Sequence, residues 1–401
     1  MAQDDHRFRN KIIGGLFMRK VAVIGVGMVK VDHHWKESLR SLFTKAAINA
    51  LEDAGNPDVE ALYVGNMSAG QFNKQENLAP MLADALGLGS KPSLRVEEGC
   101  SSGAAALYMA LKDVASGMHD FVLVGGVEKM MDTTTSDATF IISTVTDQEY
   151  EAFTGLSLAG INAMVMRLYM KKFGVKRESF AKFVVQMHEN ASKNPYAQFP
   201  FKISLDKALN SAPVAEPIHL MDCAPIGDGA AALIICPAEK AKEFTSDQVD
   251  IVGAWKANDT FLFHMRKDFL SLKATIEASR NAYDMANITP EDVDVAEVHD
   301  SFSIAGILAI EDLGFVRKGE GWMAVEEGLI SLDGEIPINP SGGLKARGHP
   351  IGATGIYQAA EIVLQLRGDA GKRQVPDARI GLSHNTSGFG TSAIVHVFKA
   401  K

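Results

Sequence analysis

The chain carries an internal repeat. The strand-like run VAVIGVG (21–27) returns as VDIVGAW (249–255), which places Gly25 over Gly253. Ala50-Leu51-Glu52-Asp53-Ala54 ends one helical stretch, and Ala282-Tyr283-Asp284-Met285-Ala286 ends another. VEALYVGN (59–66) lies over VDVAEVHD (293–300), preceded by Pro57 and Pro290 respectively. CSSGAAALYMAL (100–111) lies over HPIGATGIYQAA (349–360), with four of twelve positions identical: Gly103/Gly352, Ala104/Ala353, Tyr108/Tyr357 and Ala110/Ala359. DFVLVGG (120–126) lies over ARIGLSHN (378–385). Each pair alone is weak. Five pairs in one order, with offsets that only grow, mark a duplicated unit whose second copy starts near residue 248.

Each copy alternates strand and helix patterns. VAVIGVG and FVLVGGV are short β-branched runs, as expected of strands buried on both faces. SLRSLFTKAAINALEDAG (38–55) has apolar residues at helical spacing and a glycine stop. The expectation is an α/β fold with largely parallel or mixed sheets covered by helices. Residues 18–247 form the first half and 248–401 the second. A long stretch, about 131–220, has no partner in the second copy and reads as a loop or lid excursion on the duplicated core. Residues 1–17 read as a poorly ordered extension without the features of a signal peptide.

Composition narrows the class. Apolar residues make up 46% and charged residues 22%, which excludes a disordered, fibrous or disulfide-rich chain. The net charge of −9 argues against nucleic acid as the main partner, because such affinity comes from phosphate neutralisation. No apolar run is long enough for a membrane span. Cys100, Cys223 and Cys236 form neither a disulfide framework nor a zinc pattern, so a reducing, cytoplasmic setting is expected. There is no P-loop, and VIGVGM (23–28) lacks the third glycine of a dinucleotide fingerprint. No metal site is expected.

Four segments carry chemistry. Gly99-Cys100-Ser101-Ser102-Gly103 places a thiol at the start of an alanine-rich helix. Unpaired N–H groups and the positive helix end favour thiolate there, so a lowered pKa is expected. A lone cysteine is more often inert, and Cys223 and Cys236 are read that way. The second segment runs from Asn339 to Gly355, with five glycines in the fourteen residues 342–355. His349 takes the place of Cys100 in the repeat, so a pseudo-twofold would bring a thiol and an imidazole to one centre, the nucleophile–base pair of covalent catalysis. The other two are Val298-His299-Asp300-Ser301-Phe302 and Ser383-His384-Asn385-Thr386-Ser387-Gly388-Phe389-Gly390. Each puts a histidine at a strand end, where α/β sheets build their sites. The remaining histidines have no comparable setting.

These residues resemble the thiolase superfamily, over nearly the whole chain from residue 18. Three motifs carry the resemblance: Cys100-Ser-Ser-Gly, Gly348-His349-Pro-x-Gly-x-x-Gly355, and the glycine-rich C-terminal loop. His299-Asp-Ser-Phe302 is similar to the variant of archaeal and sterol-carrier-type thiolases. The resemblance implies a five-layered αβαβα fold of two duplicated halves plus an inserted loop domain. It implies acetyl-CoA C-acetyltransferase activity, making acetoacetyl-CoA from two acetyl-CoA through an acetyl-cysteine. Cys100 would carry the acetyl group, His349 would activate it, and His299 would orient a water or donate to an oxyanion. Thr386 would offer its backbone N–H, with that of Cys100, to the thioester oxyanion, and Gly388 of the same loop would line the oxyanion and substrate site. The resemblance further implies coenzyme A thioesters as substrates with no permanently bound cofactor. It implies a homodimer or dimer of dimers. Archaeal relatives channel product to hydroxymethylglutaryl-CoA synthase through a small acyl-CoA-binding adaptor, in the mevalonate route to isoprenoids.

One departure stands out. Ordinary thiolases carry a second catalytic cysteine in the C-terminal loop, and His384 occupies that place here; Ser301 closes the other route to a second thiol. An acid–base group is still required, and a histidine titrates near neutrality, so His384 is expected to serve. The departure leaves two alternatives: a decarboxylating ketoacyl synthase-like enzyme, and a non-catalytic scaffold subunit. Lys171, Lys172, Lys176, Arg177 and Lys182 are candidates for the phosphates of coenzyme A, or a solvated helix face.

Overall fold

The computed structural model describes residues 18–401, so the extension expected over 1–17 lies outside the described residues. Eleven strands form: β1 (Val21–Met28), β2 (Ala61–Gly65), β3 (Ser93–Val96), β4 (Val122–Glu128), β5 (Pro213–Ala215), β6 (Ile218–His219), β7 (Gly229–Pro237), β8 (Val249–Asn258), β9 (Val295–Glu297), β10 (Ile380–Ser387) and β11 (Ser392–Ala400). β5 and β6 pair with each other. The other nine form one sheet in the order β3-β2-β4-β7-β1-β8-β11-β10-β9. β1 and β8 pair antiparallel at its centre, with Ala22 opposite Asp250.

The ladder register confirms the duplication residue by residue. Gly25 pairs with Ile234 and Ile234 with Leu123; in the second half Gly253 pairs with Val397 and Val397 with Leu382. Leu62 then lies beside Leu123 as Ala296 lies beside Leu382. Counting on three residues makes Gly65 equivalent to His299, and Gly126 equivalent to Asn385. Even the irregularities repeat. β1 bulges between Val23 and Gly25, and β8 skips Val252, between Ile251 and Gly253. Both glycines exist for the same contact. A Cβ on Gly25 would come 2.2 Å from Ala50 O, and one on Gly253 would come 2.4 Å from Ala282 O.

Five layers follow from the alternation of side chains along the strands. Val21, Val23, Leu233 and Ile235 face a central core with the helices Ser102–Ser116 and Thr354–Arg367. Ala22, Ile24, Ile234 and Cys236 face an outer core with the helices Leu39–Asp53 and Leu78–Ala85. In the second half the outer core takes Val395 and Val397, with helices Lys273–Ala286 and Ser303–Asp312.

The excursion between β4 and β7 is not a free lid. Its helices Leu158–Phe173 and Arg177–Ala191 bury Tyr169, Phe180 and Phe183 in the second half's outer core, with Ile304 and Leu308. β11 is the equivalent of β7, so the counterpart of this long excursion is the short turn joining β10 to β11. Among the described residues no helix is long and apolar enough to cross a membrane.

One core position breaks the pattern. Leu233 faces the central core, and its equivalent on β11 is His396. His396 is fully buried against Tyr108 and Phe398, and neither ring nitrogen has a hydrogen-bond partner. Burial holds its pKa at about 3, below the ordinary 6.5. His396→Leu should therefore raise stability by about 1–3 kcal/mol, read from the denaturation midpoint. The gain should widen as pH falls below 6.5, because the unfolded imidazole takes up a proton that the folded one does not.

Candidate active site

Cys100 sits in a tight turn two residues before the central helix Ser102–Ser116. Gly99 makes the turn with φ +53°, and a Cβ there would strike Ser387 Oγ at 2.1 Å. Ser102 locks it: its hydroxyl donates to Gly99 O at 2.6 Å and accepts the Glu98 N–H at 2.9 Å. The sulfur accepts the Gly388 N–H, which Gly388 presents from the β10–β11 turn at φ +56°. Cys100 is 5% exposed and shares an apolar cluster with Met67, Met130 and Ile351.

The sequence leads one to expect a lowered thiol pKa; the structure reverses that. Burial pushes the Cys100 thiol up to about 12, against the pull of the Gly388 N–H, and the nearby Glu128 carboxyl adds to the rise. The helix end does not outweigh desolvation in a closed interior. Cys100 therefore rests as a thiol.

His349 enters from the opposite half. Its N–H donates to Pro225 O at 3.0 Å, and a short turn over Ile351–Ala353 leads into the central helix Thr354–Arg367. The two central helices touch where they begin: a Cβ on Gly103 would come 2.8 Å from Gly352 O. This contact sets the segments that carry Cys100 and His349 side by side. His349 Nδ1 lies 2.7 Å from Thr354 Oγ1, which donates to Pro350 O at 3.1 Å. His299 follows β9 and meets His349 edge to face, with ring centroids 5.3 Å apart. Asn385 Nδ2 lies 2.8 Å from His299 Nδ1. Burial, and then the Arg347 charge, hold His349 at about 3; burial, then the neighbouring His349, hold His299 well below 6.5. Both rings are neutral at physiological pH. Among the described residues no protein group takes the Nε2 of either ring.

Two expected residues stand elsewhere. His384 shares the face of Leu382, which lies in the outer core, so it points away from Cys100. Its Nε2 lies 2.9 Å from Thr275 Oγ1 on the outer helix, and its Nδ1 accepts the His299 N–H at 3.4 Å. With both nitrogens occupied and burial holding it at about 3, His384 does not fit the acid–base role. Thr386 pairs with Ala393 inside the ladder, and Gly388 is the residue whose N–H reaches the sulfur. Asn385 and Thr354 are the site residues that sequence reasoning missed. Strand alternation carried the signal for Asn385: an apolar Leu382 puts 382 and 384 on one face, and 383 and 385 on the other.

The basic cluster divides. Arg177 is structural: it donates to Leu209 O at 2.8 Å and pairs with Asp222 at 3.3 Å. Lys182 pairs with Glu326 at 3.2 Å. Lys171, Lys172 and Lys176 face solvent.

If Cys100 is a buried thiol, its alkylation by iodoacetamide should rise about tenfold per pH unit through pH 9, followed on the Cys100 peptide by mass spectrometry. A plateau near neutrality would instead reveal a preformed thiolate–imidazolium pair.

The chain matches the family "Thiolase, N-terminal domain" over residues 21–239 and "Thiolase C-terminal domain-like" over residues 256–400. It is 53% identical to an acetyl-CoA acetyltransferase of Methanothermobacter thermautotrophicus, over 95% of this chain and all of that one. It is 48% identical to an acetyl-CoA acetyltransferase of Methanocaldococcus jannaschii, over 96% of this chain and all of that one. Among solved structures, one described as an Ltp2-ChsH2(DUF35) aldolase superposes with a TM-score of 0.83 at 23% identity, covering 96% of this chain and 99% of that one. That likeness speaks to the fold.

Proposed function

The chain belongs to the thiolase family and is an acyltransferase of it, and from that premise we propose that it condenses two acetyl-CoA into acetoacetyl-CoA through an acetyl group on Cys100, and catalyses the reverse thiolysis. One observation supports this most: two neutral imidazoles meet edge to face, and one of them, His349, lies three residues before the Gly103–Gly352 contact, on the segment set beside the buried Cys100 turn.

In the first half-reaction the Cys100 thiol gives its proton to an imidazole as the sulfur attacks the thioester carbonyl. The Gly388 N–H stands beside the oxyanion that forms. Coenzyme A leaves as a thiolate and takes that proton. In the second half-reaction the α-proton of a new acetyl-CoA passes to an imidazole. The enolate carbon attacks the acetyl-cysteine, and Cys100 departs and regains the proton. Every proton is exchanged within the site, and coenzyme A thioesters suffice as reactants. We place the enzyme in the cytoplasm as a dimer or dimer of dimers. Its product would pass to hydroxymethylglutaryl-CoA synthase through a small acyl-CoA-binding adaptor, in the mevalonate route. The similarity to two enzymes named acetyl-CoA acetyltransferase supports the acetyl-transfer chemistry from which that setting is drawn.

A second reading has its own observation. With His384 turned away, one cysteine and two histidines remain, the set that suffices when decarboxylation generates the carbanion. The test separates the two. Purified protein given acetoacetyl-CoA and coenzyme A should form acetyl-CoA without malonyl-CoA, and intact mass should show acetyl on Cys100. Cys100→Ala should lose both, with turnover down roughly a thousandfold or more. Turnover that depends on malonyl-CoA would favour the decarboxylating enzyme. No acylation of Cys100 would favour a scaffold.

A further inference from the structure

The two imidazoles are held by different partners, and the partners dictate different tautomers. Thr354 Oγ1 donates its one proton to Pro350 O, so toward His349 it can only accept. The 2.7 Å contact therefore needs a proton on His349 Nδ1, and Nε2 keeps a lone pair. His299 is the reverse case. An amide nitrogen only donates, so the 2.8 Å contact from Asn385 Nδ2 makes His299 Nδ1 the acceptor and puts the proton on Nε2.

The orientation of the Asn385 amide decides this: its oxygen makes no hydrogen bond within the protein, and the charge around it favours the orientation that turns the amide nitrogen to His299. A Cβ on Gly355 would come 2.7 Å from Asn385 Oδ1 and 2.3 Å from Ala104 N. The amide oxygen thus lies beside the first turn of the helix that follows Cys100. Free N–H groups and the positive helix end favour an oxygen there over an NH2.

We propose that Asn385 and Thr354 are positioning residues that set His299 and His349 in opposite tautomers, making His349 Nε2 the base of both half-reactions and His299 Nε2–H the donor to the enolate oxygen. The proposal rests on the acyl-transfer reading and deepens it. His349 takes the thiol proton and returns it to the departing coenzyme A. It then takes the α-proton of the second acetyl-CoA, as the electron pair of that C–H bond moves to the oxygen facing His299. When carbon attacks the acetyl-cysteine, the proton passes from His349 to the released Cys100 sulfur. One base suffices because it is restored after the first half-reaction, and this removes the need for a second thiol or for His384.

The direct test uses the full chain labelled with ¹⁵N-histidine and long-range ¹⁵N–¹H correlation spectra, which distinguish the two tautomers without substrate. His349→Asn and His299→Asn assign the signals. The unaltered protein should show Nδ1–H on His349 and Nε2–H on His299. Asn385→Asp offers a carboxylate to His299 Nδ1 and should move its proton there. Exchange of the acetyl-CoA α-protons with deuterated water should then slow about 10–100-fold, and more than acetylation of Cys100 does. Thr354→Val should slow both steps, and Thr354→Ser should restore them. The same tautomer on both rings, or an unchanged His299 in Asn385→Asp, would overturn the proposal. If the variants fail to fold, the spectra of the unaltered protein still decide. Failure of the acetyltransferase reading shows separately, as no thiolysis by the unaltered protein.

Discussion

The close approach of two helix N-termini is the constraint on which the rest of the molecule depends. Gly103 and Gly352 let the central helices meet backbone to backbone, and Gly355 lets the second reach Ala104 N. Glu128 clamps the junction. Its carboxyl accepts the N–H of Met67 at 2.8 Å, of Ser68 at 3.1 Å and of Gly352 at 3.0 Å, together with the Asn66 amide at 2.9 Å. Three of those donors belong to the first half and one to the second, so a single side chain ties the duplicated units where their helices begin. Burial pushes Glu128 up to about 7 while its donors pull the other way. Any larger residue at the junction would part Cys100 from His349.

The same closeness sets the electrostatics. A desolvated site disfavours charge of either sign, so the thiol rises and the imidazoles fall. In the proposed reaction the proton stays on sulfur until a substrate carbonyl can take up negative charge beside the Gly388 N–H. This suits the proposed acetyl-cysteine intermediate, since a neutral thiol at rest resists oxidation and stray acylation. Asp300 supports the arrangement from behind, accepting the Leu344 N–H at 2.7 Å and so anchoring the loop that delivers His349.

Much of this was legible in the residues because duplication writes itself in patterns. The pairing of Gly25 with Gly253 and of Cys100 with His349 came from order alone, and the ladder register reproduces the alignment that placed Gly65 over His299. The errors have physical causes. Matching glycines in the C-terminal loop put His384 at a catalytic position, yet side-chain direction in a strand is decided by a single residue of register. The thiol was judged by its helix end, but how deeply that end lies is a property of the assembled halves. The excursion reads from its missing repeat partner as a loop or lid, and Tyr169, Phe180 and Phe183, which build it into the outer core, follow only from the assembled halves.

The chemistry arises where the symmetry is broken. Gly65 and Gly126 are neighbours in the first half, and His299 and Asn385 hold the same two places in the second. A Cβ on Gly65 would come 2.5 Å from Gly103 Cα, and one on Gly126 would come 2.6 Å from Ala353 Cα. The first half therefore cannot carry a side chain there while the central helices touch. In the second half the equivalent places hold a hydrogen-bonded imidazole and amide. The empty pair lets the two central helices approach, and the filled pair supplies an imidazole and the amide that holds it. Neither half could do both, because the contact that needs glycine excludes the histidine. A single centre built from two unequal copies meets both demands at once.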